Sequence, residues 1–408
     1  MHKRRREEIE SISTSHKGTQ KNIAVVGGSA AGLLTASLLA RQGAAVRVFE
    51  RNETLEPAAR TLIVTDRMRA LLGRVAEGCV VNEIRRFELF TDGRAATIGL
   101  KHPDLIVERR ALIRGLAEEA QRAGATVELG RRFRAMHADE RNAGAPELVL
   151  EVERLADGKM EEIRAATAVG GDGAASRVAR AAGWAPLDTV PLVQAVVPLP
   201  KDMAPDTVRV WFVPQDTPYF YWLIPDSPTR GALGIIGESG AETQRCLEQF
   251  LEKRKLDPIE FQAARIPVYK RWIPVRRNVG GAPVYLVGDA AAQVKVSTVG
   301  GVVTGFRGAV GVAESILNGG ESRELRALRR ELDFHFLLRR SLHNFQQADY
   351  SRLVDLLHDS AKESLSEDSR DEGWKMLWRV CVRQPRLVLL GLRGLLMRGR
   401  SLDAPPAQ

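Results

Sequence analysis

The most regular part of the hydrophobic pattern begins directly after a polar head. Residues 23–26 are uniformly apolar, which is typical of a buried parallel strand. Leucines then recur at helical spacing over 33–39, and Gly43 follows as a C-terminal helix signal. A second apolar run covers residues 45–49. The pattern predicts a strand–helix–strand unit with two parallel strands.

Comparable apolar runs return near residues 127, 166 and 285, and they predict further strands of the same parallel sheet. Residues 186–275 alternate apolar and polar positions and are rich in proline and aromatic residues. This alternation predicts an antiparallel sheet inserted before the last parallel strand. From residue 321 onward the periodicity is helical.

The expected fold class is therefore α/β, with a parallel-sheet domain, an inserted antiparallel sheet and a helical C-terminal region. The sequences Asp92-Gly93 and Asp157-Gly158 predict two β-hairpin turns. The predicted boundaries are a basic head at 1–21, a discontinuous first domain at 22–185 and 276–320 with a substrate-side segment near 60–101, the inserted sheet at 186–275, and helices at 321–408.

Composition places the chain among ordinary globular proteins. Its 408 residues are 44% hydrophobic and 27% charged, so the chain can bury a large core. Its three cysteines share no close spacing, which excludes a disulfide framework and a cysteine-rich metal site and indicates a cytoplasmic location. No uncharged apolar run reaches the length of a membrane span.

The net charge of +9 lies partly at the two ends of the chain. Basic residues at 3–6 open the head, which we interpret as a disordered tail because no apolar segment of a signal peptide follows them. The remaining arginines are diffuse, and no recognition helix or aromatic-rich RNA module accompanies them. Nucleic acid is therefore not an expected partner.

The turn after the first strand has the composition of a nucleotide-binding loop. Its residues are Gly27, Gly28, Ser29, Ala31 and Gly32. Ser29 occupies the third position of the motif, where glycine is expected. Such a turn lets backbone N–H groups at a helix N-terminus approach a pyrophosphate. Glu50 ends the second strand, where an acid accepts hydrogen bonds from a ribose diol, and Arg51 follows it. The acid favours FAD or NAD over NADP as the bound nucleotide.

Two further predicted strands end in the dipeptide Gly-Asp. Asp172 follows one of them and Asp289 follows the other. An aspartate at a strand end can accept hydrogen bonds from a polyol, and Gly300 and Gly301 let backbone amides approach a flat ring. Three such strand ends in this order indicate one extended dinucleotide.

With these motifs the chain resembles the FAD-dependent hydroxylase superfamily typified by para-hydroxybenzoate hydroxylase, over residues 22–318. Within it the chain looks most like the geranylgeranyl reductase family. Residues 288–303, GDAAAQVKVSTVGGVV, are similar to the reductase sequence GDAAG-x-VKP-x-TGGGI. The resemblance implies a Rossmann-like FAD-binding domain, in which the glycine-rich turn and Glu50 hold the adenosine diphosphate half of FAD.

The same resemblance implies roles for the other motif residues. Arg109 resembles an arginine or glutamine that lies along the cofactor. Asp172 belongs to a motif associated with FAD and with the nicotinamide donor, NADH or NADPH. Asp289 would bind the ribitol or pyrophosphate, and Gly300 and Gly301 would place amides near the flavin ring.

Residues 218–225, PYFYWLIP, look like the PxxYxWxFP substrate-cavity motif of the reductases. Together with the aromatic composition of the inserted sheet, this motif implies a small hydrophobic substrate. The residues expected to line the cavity are Trp211, Tyr219, Tyr221 and Trp222, and Phe220 is expected to add to this aromatic lining. Tyr221 is the candidate catalytic residue, either as a proton donor or as a wall of the cavity.

Two departures from related families narrow the expected chemistry. Many reductases carry a cysteine-glycine pair near the flavin, whereas residues 60–64 read RTLIV here, which disfavours a reduction that uses that cysteine. Flavin-dependent tryptophan halogenases share the fold and a WxWxIP motif. Phe220 replaces the first tryptophan of that motif, and Lys101 is a poor match for the halogenase lysine, so halogenation is disfavoured.

Residues 374–400 contain basic residues and no acid, and on a helix their charges form a stripe with tryptophans and leucines largely elsewhere. Pro385 would kink that helix or start a second one. The pattern fits a helix on an anionic leaflet at the inner face of the membrane, and it fits equally well a helix packed on the protein itself.

The sequence thus leaves three functions open. They are an FAD-dependent reductase of isoprenoid double bonds, an FAD-dependent monooxygenase acting on an aromatic or apolar molecule, and a non-catalytic flavin-binding redox-responsive protein. The identity of the substrate, the choice between NADH and NADPH, covalent or non-covalent attachment of FAD and the oligomeric state also stay open.

Overall fold

The computed structural model of the chain describes residues 21–58, 60–139, 145–359 and 385–396. Within them the strands are β1 (Asn22–Val26), β2 (Ala45–Phe49), β3 (Thr61–Val64), β4 (Val80–Thr91), β5 (Arg94–Glu108), β6 (Thr126–Glu128), β7 (Arg131–Ala138), β8 (Leu148–Arg154), β9 (Lys159–Ala165), β10 (Thr167–Gly170), β11 (Thr189–Pro198), β12 (Thr207–Trp211), β13 (Tyr221–Pro225), β14 (Arg230–Ile236), β15 (Glu260–Pro267), β16 (Arg276–Val279) and β17 (Ala282–Leu286). The α-helices are α1 (Ala30–Arg41), α2 (Arg67–Leu72), α3 (Arg74–Glu77), α4 (Arg109–Arg122), α5 (Arg177–Ala181), α6 (Gly240–Arg254), α7 (Val302–Asn318), α8 (Arg323–His343), α9 (Gln347–Asp359) and α10 (Pro385–Leu396).

A six-stranded sheet has the order β16–β17–β10–β1–β2–β6. Every neighbouring pair in it is parallel except β16–β17, so the predicted parallel sheet is confirmed. Its central strands β1 and β10 are buried on both faces, where side chains from α1 and α7 contribute to the core. Val25 and Leu33 are fully buried there together with Phe306 of α7.

An eight-stranded sheet has the order β15–β11–β14–β13–β12–β4–β5–β3. Strand β12 pairs in parallel with β4, which joins the hairpin of residues 80–108 to the inserted strands. All other pairs are antiparallel. The predicted turn at Asp92-Gly93 is confirmed: both residues have positive φ, 39° and 74°, as a two-residue hairpin loop requires.

The two faces of the eight-stranded sheet belong to different apolar clusters. On β13, Tyr221 and Leu223 pack with Phe250 of α6. Trp222 and Ile224 point the other way and pack with side chains of β4, β5 and β12. Because successive side chains of a strand alternate between the faces, neighbours in sequence reach opposite environments.

The remaining strands form a three-stranded antiparallel sheet in the order β7–β8–β9. Its second hairpin turns at Asp157-Gly158, where Gly158 has a φ of 70°, so this predicted turn is also confirmed. The described residues after 321 are mainly helical, as predicted, and form α8, α9 and α10.

The C-terminal helices pack on the eight-stranded sheet and on one another. Gln347 of α9 donates a hydrogen bond from Nε2 to Oγ1 of Thr91 at 2.6 Å. Ser341 of α8 donates to the carbonyl of Gly391 in α10 at 2.9 Å. No helix in the described ranges is long and apolar enough to cross a membrane. The basic head up to residue 20, and residues 374–384 and 397–400 of the predicted basic helix, lie outside the described residues.

Candidate functional site

The carboxyl ends of β1, β2, β10 and β17 open into a cavity of about 1140 Å³ that continues along the eight-stranded sheet. Pockets for one drug-sized ligand usually measure roughly 300–1,000 Å³, so this cavity is larger than such a pocket. Its end at the parallel sheet is lined by polar groups and glycines, and its end at the eight-stranded sheet is apolar.

The glycine-rich turn forms the first wall of the polar end. Gly27 has a φ of 101°, and a Cβ atom there would lie 2.5 Å from the carbonyl oxygen of Gly171, so only glycine fits. Ser29 is the N-cap of α1, and its hydroxyl accepts a hydrogen bond from the N–H of Gly32 at 3.2 Å. The serine therefore caps the first turn of α1 at the cavity wall. Ala31 lines the same wall.

Glu50 lies at the end of β2, beside this turn. Its Oε2 accepts a hydrogen bond from the N–H of Gly28 at 2.7 Å, and its Oε1 accepts one from the N–H of Asn52 at 2.9 Å. These two bonds hold the carboxylate in place at the cavity wall, where it can accept further bonds from a diol. Arg51 is exposed and lines the rim.

Asp289 follows β17 on the opposite wall of the cavity, in a single 3₁₀ turn. Burial raises the pKa of its carboxyl group, although the positive charges of Arg60 and Arg109 act to lower it. Burial in turn lowers the pKa of both guanidinium groups, and the two arginines repel each other across the cavity. The site therefore brings one acid and two cations together in the cavity wall, and all three residues are half-buried.

Arg60 is a site residue that the motif analysis did not find, while Arg109 was expected. Both line the cavity, and Arg109 donates a hydrogen bond to the carbonyl of Ala58 at 3.0 Å. The only sequence signal for Arg60 is its position immediately before the half-buried strand β3.

The segment before α7 closes the end of the polar half. Gln293 in this segment accepts a hydrogen bond through its Oε1 from the N–H of Gly288 at 2.7 Å. The bond links the segment back to the turn that follows β17. Gly300 and Gly301 follow and line the cavity, and a Cβ at Gly301 would lie 3.3 Å from Oδ1 of Asp289. The backbone at Gly300 and Gly301 comes close to Asp289 because neither glycine carries a side chain.

Asp172 lines the cavity but uses its carboxylate within the chain. Its oxygens accept hydrogen bonds from the hydroxyl of Ser176 at 2.5 Å and from the N–H of Arg177 at 2.7 Å, so the residue fixes the start of α5. Burial raises its pKa despite these bonds. Its contact with a nicotinamide donor stays a prediction.

The structure corrects the expected aromatic lining. Tyr221 and Trp211 do not line the cavity; their rings stack on Phe250 and Phe90, respectively, away from the cavity. The prediction that Tyr221 is a proton donor or a cavity wall is therefore wrong. Its hydroxyl donates to Oδ2 of Asp216 at 2.8 Å, and burial raises its pKa.

Tyr219 is also absent from the described lining, and its ring lies 4.6 Å below the guanidinium of Arg339. Trp222 lines the cavity. Phe220, which was expected there, lines it as well, and so does Phe212, which was missed. The physical reason for Tyr221 is the two-residue period of β13, which turns Tyr221 toward α6 and Trp222 and Ile224 toward the cavity. Tyr219 lies before β13 and packs in the same apolar cluster as Trp222.

The fold defines an FAD-dependent oxidoreductase, together with the strand ends that carry the glycine-rich turn, Asp172 and Asp289. Residues 20–319 match the model described as "FAD binding domain", and the chain belongs to that family. The residues present also fit the cofactor, because the glycine turn, Glu50 and Asp289 all line the polar half of one continuous cavity. Gly300 and Gly301 lie where this polar half meets the apolar half.

Curated relatives and a solved structure agree with this assignment. The chain is 30% identical over 295 residues to digeranylgeranylglycerophospholipid reductase 2 of Methanothermobacter thermautotrophicus, covering 69% of this chain and 74% of the relative. It is 28% identical over 299 residues to digeranylgeranylglycerophospholipid reductase 1 of Methanopyrus kandleri, covering 69% and 76%.

The fold is shared with a geranylgeranyl bacteriochlorophyll reductase-like protein of Thermoplasma acidophilum. The TM-score is 0.74 at 18% identity, and the match covers 92% of this chain and 99% of that one. The predicted resemblance to the geranylgeranyl reductases is confirmed.

Proposed function

We propose that the protein reduces carbon–carbon double bonds in the isoprenoid chains of a lipid, with FAD as the redox group and NADH or NADPH as the electron donor. The observation that carries this proposal is the continuity of the cavity. The polar end, where FAD would bind, leads without a break into an apolar end beneath the eight-stranded sheet. Relatives named for the reduction of a digeranylgeranyl lipid support the same substrate class.

Bound FAD supplies the transfer of two electrons as a hydride. The chain's own residues would bind it and shape its surroundings: the glycine turn and Glu50 would hold the nucleotide end, and Asp289 with Arg60 and Arg109 would hold the central polar groups. Gly300 and Gly301 leave room for the flat ring, and the rings at the apolar end exclude water from the reacting bond.

The apolar end selects for a hydrocarbon chain. It is lined by Phe87, Val210, Phe212, Phe220, Trp222 and Ile224. These side chains come from three neighbouring strands and from the segment between β12 and β13, and together they form one apolar wall beneath the sheet. Gln194 is a polar exception on this wall, and its amide donates to Oε1 of Gln262 at 2.7 Å.

Anaerobic mixing tests the proposal. Holoenzyme reduced with dithionite is mixed under nitrogen with digeranylgeranylglycerophospholipid in detergent micelles, and the absorbance of oxidised flavin is followed. We expect the absorbance to return with added lipid and not with detergent alone. Reoxidation only after admission of oxygen, with oxygen consumed in proportion to substrate, would support the monooxygenase instead. No response to either would support a non-catalytic flavin protein.

We propose further that the helix predicted over 374–400 brings the protein to an anionic membrane surface. In its described part, α10, Leu389, Leu392 and Leu396 are exposed, and Arg386 is exposed beside them. Flotation with vesicles containing an anionic lipid tests this contact. We expect co-flotation that is lost when Leu389 and Leu392 are both replaced by serine, and retention of binding by that variant would contradict it.

A cytoplasmic location completes the proposal. Cys79 and Cys246 are buried as free thiols, which is compatible with a reducing compartment. Fractionation of cells at low and high salt would find the protein in the cytoplasm or on the inner membrane face, and recovery from an extracytoplasmic fraction would contradict this location.

A further inference from the structure

One hydroxyl of the cavity lining is bonded to a buried histidine. Ser297 lies in the segment before α7 and lines the cavity, and its Oγ is 2.6 Å from Nδ1 of His335. Both residues are buried, with exposed fractions of 8% and 5%. His335 belongs to α8, which lies beyond the family match that ends at residue 319.

Helix α8 holds this cavity segment at two points. Glu331 lies one helical turn before His335 on the same face. Its carboxylate forms ion pairs with Lys295, at 3.7 Å, and with Arg307 of α7. The backbone N–H of Lys295 donates to the carbonyl of Gly300 at 3.0 Å, which closes the segment into a loop. Ser297 therefore lies on a short loop. The bond between Lys295 and Gly300 closes this loop, and contacts with Glu331 and His335 of α8 hold it in place.

The other acidic groups of the cavity are already engaged. Glu50 accepts two backbone N–H groups, Asp172 fixes the start of α5, and Asp289 faces Arg60 and Arg109. The described lining contains no histidine, cysteine or tyrosine. Ser297 is therefore the lining group with an imidazole directly behind it, and it lies two residues from Val299, which packs in the apolar cluster beneath the sheet.

We propose that Ser297 donates the proton that completes reduction of the substrate double bond, and that His335 resupplies that proton. This inference rests on the proposed function. Reduced FAD, when bound, would supply the hydride for one carbon of the double bond and would be left oxidised. The other carbon would form its new C–H bond with the proton from the Ser297 hydroxyl. His335, in its protonated form, returns a proton to the serine oxygen and regains one from solvent after product leaves.

A serine hydroxyl alone is a weak acid, so the imidazole is what makes this step feasible near neutral pH. Charged groups on the elements around His335 are Glu331 and Arg339, each one turn away on α8, Lys295 on the loop and Arg307 on α7. His335 acts through Ser297 and is a positioning residue, whereas Ser297 faces the substrate.

Four variants of the full-length holoenzyme test the pair. Ser297→Ala removes the donor, and Ser297→Cys restores a proton donor of similar size. His335→Asn keeps a polar group near the position of Nδ1 but cannot carry a proton. Ser315→Ala is the matched control, because Ser315 is a buried serine of α7 whose hydroxyl donates to the carbonyl of Gly311 and does not line the cavity.

The measurement is the rate of flavin reoxidation after reduction with dithionite, under nitrogen, at increasing digeranylgeranylglycerophospholipid in micelles. We expect Ser297→Ala and His335→Asn to lower the rate at saturating lipid by about 10² or more, as loss of an acid–base group does. The half-saturating lipid concentration and the flavin content should stay unchanged. Ser297→Cys should recover much of the rate, and Ser315→Ala should match wild type.

A second readout does not depend on turnover. In protein labelled with ¹⁵N-histidine, the Nδ1 signal that disappears in His335→Asn should shift in Ser297→Ala and keep its position in Ser315→Ala. Wild-type rates in Ser297→Ala, or an unshifted signal, would overturn the proton relay and leave the proposed function standing. Failure of the wild-type protein to be reoxidised by the lipid would overturn both.

Discussion

The indole of Trp222 lies directly over the Cα atom of Gly234. The two residues are paired across β13 and β14, and a Cβ atom at position 234 would overlap the indole ring and come within 2.8 Å of Cβ of Gln194. The absence of a side chain at Gly234 therefore lets Trp222 lie flat against the sheet as a wall of the apolar end of the cavity. A tryptophan on one strand is matched by a glycine on the next.

Gly234→Ala should displace the indole into the substrate space. Because the added methyl group meets rigid neighbours, we expect the half-saturating lipid concentration in flavin reoxidation to rise about tenfold, equivalent to about 1.4 kcal/mol of binding. The flavin content should not change. Gly99→Ala is the control, since a Cβ there meets nothing within 4 Å in the same sheet. An unchanged lipid dependence would show that Trp222 is not a wall of the substrate site.

Tyr221→Phe should affect stability and spare turnover. The variant loses the hydrogen bond to Asp216 on the face that packs against α6, which we expect to cost about 1 kcal/mol in the free energy of unfolding. Urea denaturation and the anaerobic reoxidation rate measure the two effects separately. A large loss of rate at wild-type stability would return Tyr221 to the role of proton donor.

The flavin-free protein should lose stability as the pH rises through the titration of Asp289. Burial raises the pKa of this carboxyl group in the native state above its usual 3.8. The native state therefore binds the proton more tightly than the unfolded state, and stability falls between 3.8 and the raised value. Urea unfolding of flavin-free protein across this range measures the slope. Asp289→Asn should remove this contribution, and an identical slope in the variant would contradict the assignment.

Arg60→Ala should weaken cofactor binding. It removes one of the two cations that face Asp289 across the polar half of the cavity, and we expect the dissociation constant for FAD to rise about tenfold or more. Fluorescence titration of the flavin-free protein with FAD measures this change. Arg85→Ala is the control because Arg85 is an exposed surface residue paired with Glu83. Equal affinities would place Arg60 outside the cofactor site.

The parallel sheet was predictable because its strands are short apolar runs that each end in glycine or an acid. Glu50 and Asp289 could be located from those ends alone. The aromatic wall was not predictable in detail, since aromatic residues occupy both faces of β13: Tyr221 packs with α6 and Trp222 faces the cavity. The alternation of side chains predicts a strand, but it does not indicate which of the two buried faces of that strand lines the cavity.

His335 could not be found from the sequence for a different reason. It is separated from Ser297 by 38 residues and lies on a helix whose periodicity indicates only packing. Arg60 has no motif around it, and its role follows from its closeness to Asp289 in the folded chain. Such contacts depend on the path of the backbone between the elements, which local pattern does not determine.

The mass of the lipid product made under nitrogen tests the central claim most directly. Holoenzyme, a reduced nicotinamide donor and digeranylgeranylglycerophospholipid are incubated without oxygen, and the lipid is analysed by mass spectrometry. The account predicts product that has gained two hydrogen atoms for each double bond reduced, with Asp289→Ala inactive and lacking flavin. Lipid unchanged under nitrogen, together with a product that gains an oxygen atom in air, would contradict it.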